Sequence, residues 1–385
     1  MTYNIPSISI DFPKKLVFGD QSLNAFIKYF LPLGHRNVFL LADPNVRAPL
    51  EKLRAALTGA RIKCIVNTGI THEPTVSEFE GILSEAESNR IDSVIGLGGG
   101  SVLDVAKLVS ALCYSKMSVS NTFGSGNISA RKLFLACLPT TAGTGSEVSP
   151  NSILLDESDQ LKKGIVSPFL VPDATFVDPE LTHSVPPAVT AATGIDALTH
   201  CIEAYANKNA HPLIDTFALQ GIDLICHNLE TACSNGKDSK ARSAVALGSM
   251  YGGLCLGPVN TAAVHALAYP LGSEYKIAHG VSNALLLPHV LEFNLPAGVE
   301  RYADIARIIG VKDGGSKYEM ARKGIEKISG LCRNIGIPGT LAGFNVSREH
   351  VPSLAKSAIS VQRLLKNNLR EVSEKDAIEI YYKLF

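Results

Sequence analysis

Two textures of apolar spacing divide the chain. In the first half, short apolar runs predict strands: HRNVFLLAD (35–43), ARIKCIVN (60–67), IDSVIGLGG (91–99) and KLFLACLPT (132–140). Between them, VRAPLEKLRAALTG (46–59) and TVSEFEGILSEAESN (75–89) place apolar residues at helical spacing. Such alternation predicts a mostly parallel sheet with helices on both faces. After about Pro186 the stretches ALTHCIEAYA, IDTFALQGIDLICHNLETAC and SKARSAVALGSMYGGLC read as helices, and strand-like runs become scarce. The polar, proline-bearing DPELTHSVPP (178–187) interrupts the pattern. The expected organisation is an α/β domain over 1–183 and an all-helical domain over 184–385.

Composition narrows the classes of function. At 385 residues the chain exceeds what one core usually supports, in keeping with two domains. Its 36 basic and 36 acidic residues cancel, so nothing electrostatic points to nucleic acid or an anionic membrane. No apolar run is long enough to span a bilayer, and MTYNIPSISIDF lacks the features of a secretion signal. The eight cysteines form no CxxC pair and read as small hydrophobes of a reducing cytoplasm.

Candidate metal chemistry lies in the helical half. Asp196 and His200, four apart in PPAVTAATGIDALTHCIEAY, share one helix face behind a Pro pair. His265 and His279 follow in VNTAAVHALAYPLG and SEYKIAHGVSNALLLPH. One carboxylate and three imidazoles are donors that a borderline divalent transition metal takes. Any one of these histidines alone reads first as a half-buried core side chain, and only taken with the rest of the chain does the metal reading prevail. Glu203, seven after Asp196 on the same face, is either a salt-bridge residue or a carboxylate that orients a ligand imidazole. Gly280 either lets the chain carry His279 close to an ion or belongs to a helix end. Small apolar neighbours suggest a short, uncharged substrate.

A phosphate-binding end is visible in GLGGGSVLDVAK (96–107), which follows a strand and opens a helix. It departs from the usual dinucleotide fingerprint: Ser101 stands where the third Gly belongs, and no acid follows at the required distance. Asp43, at the end of an earlier strand, is placed to accept from an adenosine ribose and to repel a 2′-phosphate, or else is a turn residue. The loop PTTAGTGSEVSP (139–150) offers hydroxyls and backbone to a nucleotide, and Lys162 is either a phosphate or ribose ligand or a solvated surface lysine.

Together GGGSVLDVAK, PTTAGTGSEVSP, VDPELTHSVPP, ATGIDALTHCIEAY, VHALAYPLG and AHGVSNALLLPHV resemble the iron-containing (group III) alcohol dehydrogenases, in order and spacing, through nearly the whole chain. The resemblance implies an N-terminal dinucleotide-binding domain, an all-α C-terminal domain in the two-domain plan of dehydroquinate synthase, and an active-site cleft between them. It implies Fe(II) ligands at Asp196, His200, His265 and His279, with Zn(II) as the alternative ion, and NAD contacts at Asp43, Gly99, Gly100, Ser101, Thr140, Thr141, Thr144 and Lys162. The implied reaction passes hydride from a metal-held alkoxide of a small alcohol to nicotinamide, or the reverse on an aldehyde, with His265, His279 and Tyr269 at the reacting centre. A homodimer or larger homo-oligomer in the cytoplasm is also implied.

Two positions depart from the family pattern. Tyr269 stands where many members carry a second His facing the substrate, and Glu73 where Asn is common. Rival readings are a dehydroquinate synthase-like lyase, a zinc glycerol dehydrogenase, or a non-catalytic metal- or nucleotide-binding protein. Within 186–290 the only cationic side chains are Lys208, Lys237, Lys240, Arg242 and Lys276, which argues against a heavily phosphorylated substrate.

Overall fold

The computed structural model describes residues 5–312 and 315–385, and among these residues it has nine strands and thirteen α-helices. They form two compact units, Asp11–Val185 and Pro186–Phe385, the second joined by the segment ending at Ile10. The expected boundary, between 183 and 184, lies two residues earlier and did not assign that first segment to the helical unit.

The first unit is built on a six-stranded parallel sheet. Its strands are β1 (Lys15–Phe18), β2 (Asn37–Ala42), β3 (Lys63–Asn67), β4 (Ser93–Gly98), β6 (Phe134–Pro139) and β9 (Ala174–Val177), ordered β1-β9-β6-β4-β2-β3. A second sheet joins β5 (Gly124–Ser125) to the antiparallel pair β7 (Asn151–Asp156) and β8 (Leu161–Val166). The continuous apolar run of β2 follows from burial on both faces. Val38 and Leu40 pack with α1 (Ser22–Phe30) and α2 (Arg47–Gly59) through Phe26, Phe30, Leu53 and Leu57. Phe39 and Leu41 pack on the other face with α3 (Val76–Ser88) and α4 (Gly100–Leu112) through Phe79, Ile82, Val105 and Val109. Each large apolar side chain fully buried here contributes about 1.5–3 kcal/mol against chain entropy. Helix α3 opens on a capping box in which Thr75 and Glu78 satisfy each other's backbone N–H groups.

The four strands and two helices expected from the spacing are present as β2, β3, β4, β6, α2 and α3. The short β1 and β9 and the β7–β8 hairpin were not anticipated. Helix α2 lies on one face of the sheet and α4 on the other, so the connections leaving neighbouring β2 and β4 diverge. That divergence opens a crevice at the carboxyl ends of β2 and β4, the place where nucleotides bind in open parallel sheets.

The second unit is helical: α5 (Pro187–Tyr205), α6 (Pro212–Ser234), α7 (Ser239–Leu256), α8 (Ala263–Tyr275), α9 (His279–Ile308), α10 (Lys317–Asn334), α11 (Val351–Ile359), α12 (Gln362–Leu365) and α13 (Glu374–Tyr382). Helix α5 packs on α6, α7 and α9, and α8 packs on α9, α11 and α12. From Thr190 onward nearly every α5 side chain is buried, which is why the helix is made of small residues around its few polar ones.

Candidate metal and nucleotide sites

Three helices deliver the metal-site residues to one point. Asp196 and His200 come from α5, one turn apart; His265 lies in the first turn of α8 and His279 begins α9. The Nε2 atoms of His265, His279 and His200 lie 3.4, 3.6 and 3.8 Å from Asp196 Oδ1. The ligand atoms of Asp196, His265 and His279 all fall within 4.8 Å of one another, and His200 approaches from the α5 side with its ring stacked 4.7 Å from that of His265. Asp196 and His265 are each 3% exposed, so the site is largely dry.

Close backbone packing fixes His279. A Cβ built on Gly280 would stand 2.2 Å from the Ala192 carbonyl oxygen of α5, so only glycine lets α9 begin at this spot. Glu203, on α5, acts on His265 in two ways. Its carboxylate accepts from the Ala262 and Val264 backbone N–H groups at 3.0 and 2.6 Å, capping α8, which lacks a side-chain cap of its own. It also accepts from His265 Nδ1 at 2.6 Å, which aims Nε2 at Asp196. Both functions sit in one side chain.

The electrostatics favour positive charge here. Burial alone would raise the Asp196 carboxyl, but the surrounding imidazoles outweigh it and hold the group well below the usual carboxylate range. Burial alone would lower His265, but Asp196 and Glu203 overcome it and push the ring up to about 9. The field that retains a proton on His265 also attracts a metal cation, for which the proton must leave.

Asn283, one turn after His279, was not singled out from the sequence. Its Nδ2 donates to Asp196 Oδ1 at 2.7 Å and lies 3.2 and 3.3 Å from the Nε2 atoms of His265 and His279. With both imidazoles neutral and their Nε2 atoms unprotonated, as metal binding requires, one amide has two N–H donors for three convergent acceptors, whereas a cation serves all of them. The donor set fits a divalent transition metal. The i, i+4 spacing from His279 was the available signal for Asn283.

Tyr269 follows His265 by one turn, its ring centroid 6.1 Å from that of His279. Arg363 of α12 donates from Nη2 to the Tyr269 hydroxyl at 3.4 Å.

In the α/β unit, the crevice brings together most of the nucleotide candidates. Asp43 follows β2, its amide bonded to the Leu97 carbonyl at 3.0 Å, and Gly99, Gly100 and Ser101 turn β4 into α4. A Cβ on Gly100 would stand 2.5 Å from Thr144 Cγ2, and Thr141 lies against Gly99, so the 139–150 loop folds onto the glycine turn. Thr140 is buried, its amide donating to the Gly98 carbonyl at 3.0 Å. The missing side chain at Gly100 and the N-terminus of α4, which has no side-chain cap, fit a pyrophosphate.

Lysine 107, on α4, ties that loop down from beneath. Its side chain is fully buried and donates to Ser146 O at 2.8 Å, Ser146 Oγ at 2.9 Å and the Asn151 carbonyl, with Asp104 Oδ1 at 3.7 Å. Burial lowers the Lys107 ammonium from its ordinary range.

Two candidates sit differently from the simplest sequence reading. Asp43 Oδ1 accepts from the Asn45 amide at 2.8 Å, so it shapes its own turn while Asp43 stays half-buried. Lys162 is no solvated surface lysine: its side chain is 3% exposed and pairs with Glu73 Oε1 at 2.5 Å. Glu73, the departure noted in the sequence, therefore supplies the counter-charge for Lys162.

Comparison with known proteins agrees with this architecture. Residues 13–179 match the family described as iron-containing alcohol dehydrogenase, and residues 190–385 the C-terminal part of the Fe-containing alcohol dehydrogenase family. The chain is 38% identical over 382 residues to long-chain-alcohol dehydrogenase 1 of Geobacillus thermodenitrificans, covering 98% of this chain and 96% of the relative. It is 32% identical over 370 residues to lactaldehyde reductase of Escherichia coli, covering 95% and 96%. Its fold superposes on a crystal structure of 1,3-propanediol oxidoreductase with a TM-score of 0.95 at 32% identity, covering 99% of this chain and all of the other. With both units matched end to end, the chain belongs to the iron-containing alcohol dehydrogenase family.

Proposed function

We propose that this protein is an NAD(H)-linked, metal-dependent alcohol dehydrogenase or aldehyde reductase acting on small alcohols and aldehydes. The observation that carries the reading is the convergence of three imidazole nitrogens on Asp196 Oδ1 within 3.4–3.8 Å. Asp196, His200, His265 and His279 would hold Fe(II), or Zn(II) in its place. Zn(II) binds most such sites more tightly, so metal availability decides which is present.

A bound divalent cation supplies a Lewis acid for the alcohol or carbonyl oxygen, and a bound nicotinamide gives or takes the hydride. The chain's own residues do the rest. Asp196 provides the negative charge that holds a dication in a dry site. Glu203 keeps His265 in the tautomer that presents Nε2. Tyr269, a phenol beside His279, borders the space a substrate occupies.

For the cofactor, the amides of Gly99, Gly100 and Ser101 would meet the pyrophosphate, with Thr140, Thr141 and Thr144 lining the adjoining loop. Asp43 would accept from the adenosine ribose and disfavour NADP. Lys162, neutralised by Glu73, would serve as a hydrogen-bond donor to ribose better than as a free cation for phosphate.

No helix among the described residues is long and apolar enough to cross a membrane. The eight cysteines are free thiols, which supports a reducing, cytoplasmic setting, and the family resemblance supports a homodimer or larger assembly. The test is an anaerobic assay of Fe(II)- and Zn(II)-loaded protein with NADH and short aldehydes, followed by loss of NADH absorbance. Turnover with either metal and none after chelation supports the reading. Metal-independent turnover overturns it.

A further inference from the structure

We propose that Arg363, held against Tyr269, is a specificity-determining residue that selects aldehydes and alcohols carrying an oxyanion, a carboxylate or sulfonate, away from the reacting carbon. The proposal rests on the dehydrogenase reading above and replaces the uncharged substrate expected from small apolar neighbours.

The placement comes from α8 and α12. Tyr269 shares the α8 face of the ligand His265, and its ring lies 6.1 Å from that of His279, so the phenol stands at the edge of the metal site. The Arg363 guanidinium meets that phenol with a single long hydrogen bond of 3.4 Å. A guanidinium has five N–H donors in a fork shaped for two oxygens of one anionic group. Among the described residues no carboxylate lies within 4.0 Å of it. Two other half-buried arginines have a carboxylate beside them, Arg301 with Asp215 at 2.6 Å and Arg131 with Asp173 at 2.8 Å, and Arg370 is taken up by the Phe293 carbonyl and ring.

Nor is Arg363 a solvated surface side chain. It is half-buried, as is Tyr269, and the chain that follows it is pinned. Leu364 and Leu365 that follow it are buried, and Asn367 donates to the Thr261 carbonyl at 2.8 Å, tying α12 to the approach to α8. A guanidinium with no carboxylate beside it has donors left to take both oxygens of a substrate oxyanion. Anchored backbone and pre-set side chain mean little ordering is required on binding.

The experiment compares kcat/KM with NADH for succinic semialdehyde and sulfoacetaldehyde against butanal, in the metal-loaded wild-type enzyme, Arg363→Gln and Arg363→Lys. The expected wild-type preference for at least one charged aldehyde is about tenfold or more. The carboxylate and sulfonate arms show which oxyanion fits better. Arg363→Gln should lower that preference about tenfold, chiefly through KM, and Arg363→Lys should keep part of it. Added salt should erode the wild-type preference without affecting butanal. A wild type that reduces butanal with no preference for either anion overturns the proposal and leaves the dehydrogenase reading standing. Equal losses on charged and neutral substrates in Arg363→Gln also overturn it, assigning Arg363 a structural role. Absence of turnover on all three aldehydes overturns both.

Discussion

Glu203 Oε2 lies 2.6 Å from His265 Nδ1, and the same carboxylate caps the helix on which His265 sits. Ligand orientation and helix entry are thus set by one side chain. Glu203→Gln is expected to weaken metal binding about 10- to 100-fold while the protein remains folded. Competition with a chromophoric chelator measures this, and an unchanged affinity would reduce Glu203 to a cap for α8.

At the start of α9 the prediction concerns space. Gly280→Ala puts a methyl 2.2 Å from the Ala192 carbonyl, a backbone atom that cannot swing aside. A stability loss of about 1–3 kcal/mol is expected, together with reduced metal content because His279 is displaced. Thermal melts and metal analysis of the purified variant check both parts.

Cofactor choice is tested at Asp43. Asp43→Gly is expected to raise the ratio of NADPH to NADH efficiency about tenfold by removing the charge that faces a 2′-phosphate. An unchanged ratio would leave Asp43 with its turn alone, the bond to Asn45 that the structure contains.

Burial pushes the Glu147 carboxyl up from 4.5 to about 7, so the folded state binds its proton more tightly than the unfolded chain. The sign follows: stability is intact below 4.5, falls as pH rises from there to about 7, and is flat beyond. Glu147→Gln should therefore stabilise the protein at pH ~8 more than at pH ~5. Denaturant titrations at the two pH values decide it; equal effects at both would exclude a proton on Glu147.

Much of the fold was legible because β2, β4 and β6 are buried on both faces and so read as unbroken apolar runs. Asp196, His200 and Glu203 were legible for a similar reason: a single helix period places them together. The four-residue β1 pairs in register with β9, Lys15 opposite Ala174, and a partner so distant in sequence leaves no local signature. Asn283 and Arg363 escaped notice because their roles arise where separate helices meet. Nothing in DVAK sets Lys107 apart, and only the folded loop around it reveals that its ammonium is enclosed.

That enclosed ammonium has a dynamic consequence. It joins α4 to residues 146–151 through several bonds, none of which water can readily replace, so the glycine turn and the threonine loop must move as one piece. Opening that loop to release a nucleotide would strand a charge in a dry interior. Any conformational gate on cofactor exchange therefore has its hinge elsewhere in the chain.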